Sequence, residues 1–574
     1  MNVVQGKVWR VADVDPVKAG PLAEELAIPL PLASVLVRRG VESKADAEKF
    51  LNPRLSELSD PFLLPDMQKA VDRLWEAVDR CESILVFGDY DVDGVSSTAL
   101  MISFLSELGA MVTPFLPNRS SDGYGLTIPA LERCIAEFRP GLIVTVDCGT
   151  TSEEAVRWAQ ERDIDVIVTD HHKASAALAP ALALVNPKLG DDECVSMLAG
   201  VGVAFKLCHA MLKQGRLDQR DNVVSVELRD YMDFVALGTI SDIVPLVHEN
   251  RTLASFGLGV LNKTRCIGLR QLMEVAGVKG EVDAYHIGFQ LGPRLNAAGR
   301  MGSADLALEL LLTEDEARGR DIALRLDAAN RERQDVEKRI FRTARERIEE
   351  SFDPEKDFGL VVGDEGWHPG VIGIVASRLC AAFRRPVVVV GFDEDGKGRG
   401  SCRSVEGFDL VHHLGQVSEF LSQYGGHAMA AGLELDQGDL DAFRVAFNRE
   451  ATEKLAETDL RQVQMIDAWV DLAEADNRLF ESSQRIRPFG HSNPTPVWAS
   501  RGVRVMGEPR VVGKHHIRMR LATDGVQMDA IGFGLGDREP PSGLIDIVYQ
   551  LRMNDFQGRQ SLQLNLQDFR ASED

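Results

Sequence analysis

The chain has 574 residues, 44% of them hydrophobic and 26% charged, and a net charge of −24 at pH 7. That length exceeds a single core and predicts about three or four domains. The charge argues against broad, tight binding of nucleic acid, although a basic groove can sit in an acidic body. The 8 cysteines include no C-x-x-C pair, which argues against a zinc knuckle or a disulfide framework. Cys81, Cys134, Cys208 and Cys380 stand beside apolar residues and read as small core fillers; Cys148 reads as core packing. No apolar run reaches the roughly 18 residues of a membrane span, and MNVVQGKVWRVADVD is no signal peptide, so a reducing cytoplasm fits.

In chain order, LASVLVRRG and ESKADAEKFLNP read as small helices closed by Asn52-Pro53. From about 60 to 250, apolar runs alternate with helical segments at 70–80, 96–108, 152–162 and 200–213, which predicts a parallel sheet covered by helices. The glycines of GFQLGPRLNAAGRMGS (288–303) read as a structured loop. A helix follows over about 315–350, with Ile322, Leu326, Ala329, Val336, Ile340, Ala344 and Ile348 near a 3.6-residue period. Its many arginines read first as a salt-bridged solvated face joining two domains, and second as contacts to a nucleic-acid groove. A second α/β domain starts at Gly359 with a further strand at 386–390 and runs to about 455. The remainder carries five alternating stretches that predict a small barrel or sandwich.

Three turns carry the chemistry: GDYDVDG at 88–94, TVDCGTTS at 145–152 and VTDHHK at 168–173. Each follows an apolar strand-like run, and turns at the carboxyl ends of parallel strands meet on one edge. Asp89, Asp91, Asp93, Asp147, Asp170, His171 and His172 are therefore expected to share a pocket. So many carboxylates repel one another unless cations are bound. Oxygen ligands with a histidine minority suit Mg2+ or Mn2+, and the histidines lean the choice to Mn2+. The D-x-D-x-D-G run lacks the closing glutamate of a calcium loop, and Ser96, Ser97 and Thr98 are expected to start a helix behind it. Asp242, in FVALGTISDIVPL, reads by itself as a cap or turn residue more readily than as a ligand. Two cations in such a pocket suit in-line displacement at phosphorus without a serine or cysteine nucleophile.

Beside Asp170-His171-His172 stand NRSSDGYGL (118–126), LAGVGVAFKL (198–207), ALGTISDIVPL (236–246) and GPRLNAAGRMGSAD (292–305). Further on come GWHPGVIGIVASRL (366–379), GSCRSVEGFDL (400–410), GGHAMAAG (425–432) and PFGHSNPTPVW (488–498). In combination these segments resemble the bacterial RecJ family of the DHH phosphoesterase superfamily over nearly the full length, most weakly in the first 50 residues. The resemblance implies an N-terminal helical segment (1–55), a DHH catalytic domain (56–314), a connecting helix (315–352), an α/β DHH-associated domain (353–457) and an OB-fold β-barrel (458–574). It implies a metal-dependent 5′-to-3′ exonuclease that degrades single-stranded DNA to nucleoside 5′-monophosphates in recombination and repair. Left open beside it are a phosphodiesterase for short oligoribonucleotides or cyclic dinucleotides, and a catalytically inactive replication scaffold.

Carried over by position, Asp89, Asp91, Asp93, Asp147, His171 and Asp242 resemble ligands of two Mn2+ or Mg2+ ions. His172 resembles a further ligand or a proton-transfer and phosphate-orienting group, and Asp170 a residue that tunes a histidine. Arg119, Tyr124, Arg294, Ser401, Arg403 and His427 resemble the substrate contacts, with arginine forks suited to phosphate. Two positions depart from the pattern: Tyr424 stands where the wider superfamily often has glycine, and Ser492 where RecJ proteins usually do. Lys514, His515, His516, Arg518 and Arg520 offer a basic strand for single-stranded nucleic acid in the last domain. The implied partners are a single-strand-binding protein and a RecQ-type helicase, with the chain a monomer.

Overall fold

The computed structural model describes every residue except 1–6, 14, 119–121, 124, 175–176, 524, 557 and 573–574. The chain divides into two compact units. The larger holds Lys7–Gly292, Leu308–Glu316 and Val463–Asp574; the other, among described residues, holds Pro293–Ala307 and Ala317–Gln462.

At the centre of the larger unit lies a five-stranded parallel sheet in the order Met111–Phe115, Ser83–Gly88, Leu142–Val146, Asp165–Thr169, Ala183–Val185. The inner strands are near-continuous apolar runs because helices cover both faces. Ile84, Leu85, Val86 and Phe87 are all fully buried. The helix after the Ser83–Gly88 strand spans Val92–Glu107 and begins four residues ahead of Ser96, where the sequence predicts it. The reason is Asp91, whose carboxylate caps the helix by accepting from the amides of Asp93 (2.9 Å) and Gly94 (3.1 Å). Asp93 thereby sits inside the first turn.

The predicted loop at 288–303 is helical. A π-helical turn, Ile287–Leu291, runs into the helix Gly292–Met301. Gly292 serves close approach here: a Cβ would stand 2.8 Å from Ser241 Oγ and 2.9 Å from the Ile287 carbonyl. Cys81 is also corrected: it is exposed, in the turn after the helix Met67–Asp79, whereas Cys134, Cys148, Cys208 and Cys380 are buried.

The last strands close on themselves. Trp498–Val512 pairs with His516–Thr523, then Val526–Gly532, Arg559–Ala571 and Leu544–Phe556 follow, and the last pairs back with Trp498–Val512. The N-terminal helices Pro16–Leu26 and Leu30–Arg38 share this barrel's core, with Leu32 and Leu36 in one cluster with Trp498, Tyr549 and Phe569. A strand missed in the sequence, Val8–Val11, pairs in parallel with Val463–Ile466.

The second unit carries all but the first residue of the helix Glu316–Glu349, and a mixed sheet of Gln423–His427, Ala430–Asp436, Lys397–Arg403, Val387–Phe392 and Leu360–Glu365. Within the helix, Ile322, Leu326, Ile340, Ala344 and Ile348 are buried and Val336 partly so. Its arginines largely pair with acids: Arg331 with Asp327, Arg333 with Glu337, Arg345 with Glu349 and Arg347 with Asp364. Among described residues, no single helix is long and apolar enough to cross a membrane, while one pair bent by 118°, Val17–Leu26 with Leu30–Arg38, passes by length and composition.

Candidate metal centre

The carboxyl edge of the parallel sheet gathers the acidic turns. Asp89 follows the Ser83–Gly88 strand, Asp147 the Leu142–Val146 strand, and Asp170-His171-His172 the Asp165–Thr169 strand. Asp242 arrives from elsewhere, as the C-cap of the helix Met232–Ser241. Three overlapping groups offer ligand atoms within 4.8 Å of one another: Asp89, Asp91 and Asp147; Asp93, His171 and Asp242; and Asp147, His171 and His172. From His171 Nε2 the distances are 3.1 Å to Asp147 Oδ1, 3.6 Å to Asp242 Oδ2 and 3.9 Å to Asp93 Oδ2.

Glycines make this convergence possible. A Cβ on Gly200 would lie 2.5 Å from Asp147 Oδ1, and one on Gly238 would lie 2.6 Å from Asp93 Oδ1. Gly200 opens the helix Gly200–Leu217, whose first amides donate to Asp93: Gly200 N to Oδ2 at 2.7 Å and Val201 N to Oδ1 at 2.9 Å. A helix N-terminus stabilises the carboxylate it faces. Asp147 itself holds a left-handed backbone, φ 64°, a region that aspartate enters more readily than most side chains.

Electrostatically the cluster is short of positive charge. Asp93 and Asp147 are 0% and 2% exposed. Burial pushes Asp93 well above the ordinary carboxylate pKa, and Asp242 and Asp91 add to it. Burial likewise raises Asp147, reinforced by Asp93, Asp91, Asp89 and Asp242. Asp242 rises to about 7, through burial and then Asp91. Burial, followed by the charge of His172, lowers His171 to about 4, leaving the neutral imidazole that ligates metals. Among the described residues, Asp147 Oδ1 and His171 Nε2, 3.1 Å apart, are buried and make no hydrogen bond. Crowded carboxylates, a neutral histidine and orphaned polar atoms fit divalent cations with oxygen-rich shells.

Asp170 has a different place. Its Oδ1 accepts from the amides of His171 (2.7 Å) and His172 (3.1 Å) and lies 2.7 Å from His172 Nδ1, while Oδ2 accepts from Thr150 N at 2.9 Å. Burial opposes its ionisation, yet the bond and charge of His172 and the Thr150 amide hold Asp170 well below the ordinary carboxylate range. For His172 burial works downward, but Asp170 outweighs it and holds the ring up at about 9. Sequence reasoning missed Asn186, fully buried, whose Nδ2 donates to the His172 carbonyl (2.9 Å) and to Thr150 Oγ1 (2.8 Å). Its signal is its place directly after the apolar run Ala183–Val185, on the same edge.

Arg119 and Tyr124 lie outside the described residues. Arg294, Ser401, Arg403 and His427 belong to the second unit. Arg294 pairs with Asp327 of the long helix at 3.0 Å. Arg403 and Ser401 occupy alternate positions of one strand, and Arg403, Ala430 and His427 stand in register across three strands, so Ser401, Arg403 and His427 share a sheet face. In the barrel the basic strand is partly neutralised: Arg518 and Arg520 pair with Asp529, and His515 with Asp537.

The DHH family N-terminal domain matches residues 83–239, the DHHA1 domain 357–453 and the RecJ OB domain 466–568. Fold and site thus define a DHH-type phosphoesterase with a divalent-metal centre. The single-stranded-DNA-specific exonuclease RecJ of Bacillus subtilis (strain 168) is 37% identical over 573 residues, spanning 98% of this chain and 71% of that protein. The protein of that name from Escherichia coli (strain K12) is 35% identical over 557 residues, 94% and 95% of the two chains. The crystal structure of RecJ in complex with Mn2+ from Thermus thermophilus superposes with a TM-score of 0.84 at 31% identity, covering 99% of this chain and 80% of that one. The chain belongs to the RecJ family.

Proposed function

We infer that this protein is a metal-dependent exonuclease that degrades single-stranded DNA from its 5′ end to nucleoside 5′-monophosphates, in recombination and repair. The observation that carries the reading is the convergence of five aspartates and two histidines on one sheet edge, in a chain related to RecJ exonucleases along almost its whole length.

Asp89, Asp91 and Asp147 would hold one Mn2+ or Mg2+, and Asp93, His171 and Asp242 the other, with Asp147 within reach of both groups. The chemistry that cations held there would supply is neutralisation of phosphodiester charge and acidification of a water for attack at phosphorus. Asp170 engages His172 Nδ1 and so fixes the ring; a phosphoryl oxygen is the proposed partner of Nε2. Asn186 and Thr150 brace that arrangement from behind. Arg119, Tyr124, Arg294, Ser401, Arg403 and His427 are proposed to receive the 5′ end of the strand; the shared face of Ser401, Arg403 and His427 supports this for those three.

A further surface is proposed to hold bases. A cleft of about 950 Å³ runs from Ile240 and Ile243 beside Asp242 to Gln550, Arg552 and Asn565 of the barrel. On its wall Tyr285 and Phe289 stack at 4.9 Å and are 59% and 71% exposed, the kind of aromatic platform that holds unpaired bases.

The domain layout 1–55, 56–314, 315–352, 353–457 and 458–574 is proposed on the helix Glu316–Glu349 and the three family matches. A monomer in the cytoplasm, working beside a single-strand-binding protein and a RecQ-type helicase, is proposed by analogy with the RecJ family.

Incubation with Mn2+ and 5′-labelled or 3′-labelled single strands, duplexes and short RNAs tests the reading. Immediate release of labelled mononucleotide from the 5′-labelled single-stranded DNA alone is the expected result. Preference for short RNA, or no cleavage with any divalent metal, would overturn it.

A further inference from the structure

We propose that His491, in the segment leading into the barrel, is a positioning residue for the metal centre: it holds the backbone immediately after Asp242 and so aims that carboxylate. The inference rests on reading Asp242 as a ligand.

Asp242 ends a helix, and the next residue leaves it in an unusual way. Ile243 adopts φ 61°, a left-handed conformation that is an outlier for a β-branched residue and carries a steric cost. Its side chain is 69% exposed, so apolar burial does not repay that cost. Some other contact must impose the conformation.

The segment 490–493 supplies it. His491 Nδ1 donates to the Ile243 carbonyl at 2.9 Å, and the His491 carbonyl accepts from Leu246 N at 2.9 Å. One residue therefore clasps both ends of the turn that carries Asp242 away from its helix. Gly490 packs so closely on Leu246 that a Cβ would lie 2.6 Å from Leu246 Cδ1.

The clasp is itself anchored. Asn493 is fully buried and donates to the Ile486 carbonyl at 2.8 Å and the Pro488 carbonyl at 2.6 Å. Arg251, 2% exposed, donates to the carbonyls of Phe50, Ile486 and Arg487 at 2.9, 2.9 and 2.7 Å. It stands in the first turn of the helix His248–Leu261, just past Leu246. The turn after Asp242 is thus fixed against a segment 248 residues further along the chain. A bare surface loop at 243–246 would relax towards ordinary backbone and swing the carboxylate from its place 3.6 Å from His171 Nε2.

The test is Mn2+ binding to the full chain, read by the paramagnetic resonance of free Mn2+, for wild type, His491→Ala, His491→Asn, Ile243→Gly, the double variant His491→Ala/Ile243→Gly, and Asp242→Ala. His491→Ala should weaken Mn2+ binding at the site that Asp242 serves by about 10-fold or more, the usual cost of removing a residue that orients a ligand. His491→Asn keeps an N–H donor and should recover most of it. In the Ile243→Gly background, where the left-handed backbone is free of strain, His491→Ala should cost markedly less. Unchanged Mn2+ affinity in His491→Ala, with Asp242→Ala impaired, would overturn the clasp alone. Unchanged affinity in Asp242→Ala would instead overturn the reading of Asp242 as a ligand. Should His491→Ala fail to fold, the double variant decides: a loss of about 10-fold or more relative to Ile243→Gly alone overturns the clasp.

Discussion

The amide of Gly200 donates to the carboxylate of Asp93 at 2.7 Å, and the same glycine leaves room for Asp147, whose Oδ1 would stand 2.5 Å from any added Cβ. One residue therefore sets the spacing of two acids that arrive from different strands. Gly200→Ala should destabilise the fold by about 1–3 kcal/mol through overpacking. It should also lower exonuclease turnover by about 100-fold, because displacements of order 1 Å are that costly at a reacting centre. Thermal unfolding and single-turnover rates check the two parts separately; wild-type turnover would show that Asp147 tolerates displacement.

Asp170 accepts from two consecutive amides and orients His172 while belonging to none of the ligand groups. Asp170→Asn should retain the fold and reduce kcat by about 10–100-fold, the range for residues behind a metal ligand. A loss confined to KM would place Asp170 in strand binding instead.

Acid stability should carry the mark of His209. Burial, then Lys206 and Lys213, lowers its pKa to about 4, against about 6.5 in an unfolded chain. The folded protein thus keeps His209 neutral while the unfolded chain takes up a proton. Its contribution is fully present above about pH 6.5 and is lost as pH falls towards 4, with a limiting slope of about 1.4 kcal/mol per pH unit. Denaturant unfolding between about pH 7 and 4.5 should show a shallower acid loss in His209→Gln than in wild type. Parallel curves would assign the acid sensitivity to other groups.

Ser492 holds φ 59°. Ser492→Gly should raise stability by about 1 kcal/mol, since glycine meets that backbone without strain and gives back only part of the gain through its freer unfolded state. A fall in Tm would contradict this.

The inner strands were legible because fully buried parallel strands are unbroken apolar runs, and the acids because they follow those runs directly. Asp242 was not legible from local pattern: it looks like a helix terminus, which it is, and only tertiary folding brings it to His171. The helix at 288–303 was hidden because its glycines, read as turn formers, include one that serves close packing against Ser241. The helix after Asp89 began early because Asp91 is its cap as well as a proposed ligand. The strand Val8–Val11 had no signal, since the strand it pairs with lies more than 450 residues away. Ser492 reads as a departure from the pattern that the resemblance implies, and its left-handed backbone is one that glycine meets without strain.

If these turns hold a pair of cations, anomalous diffraction at the manganese edge from crystals grown with Mn2+ should show two peaks about 3.5–4 Å apart, one among Asp89, Asp91 and Asp147 and one among Asp93, His171 and Asp242. Peaks elsewhere, or none at this edge of the sheet, would contradict that reading.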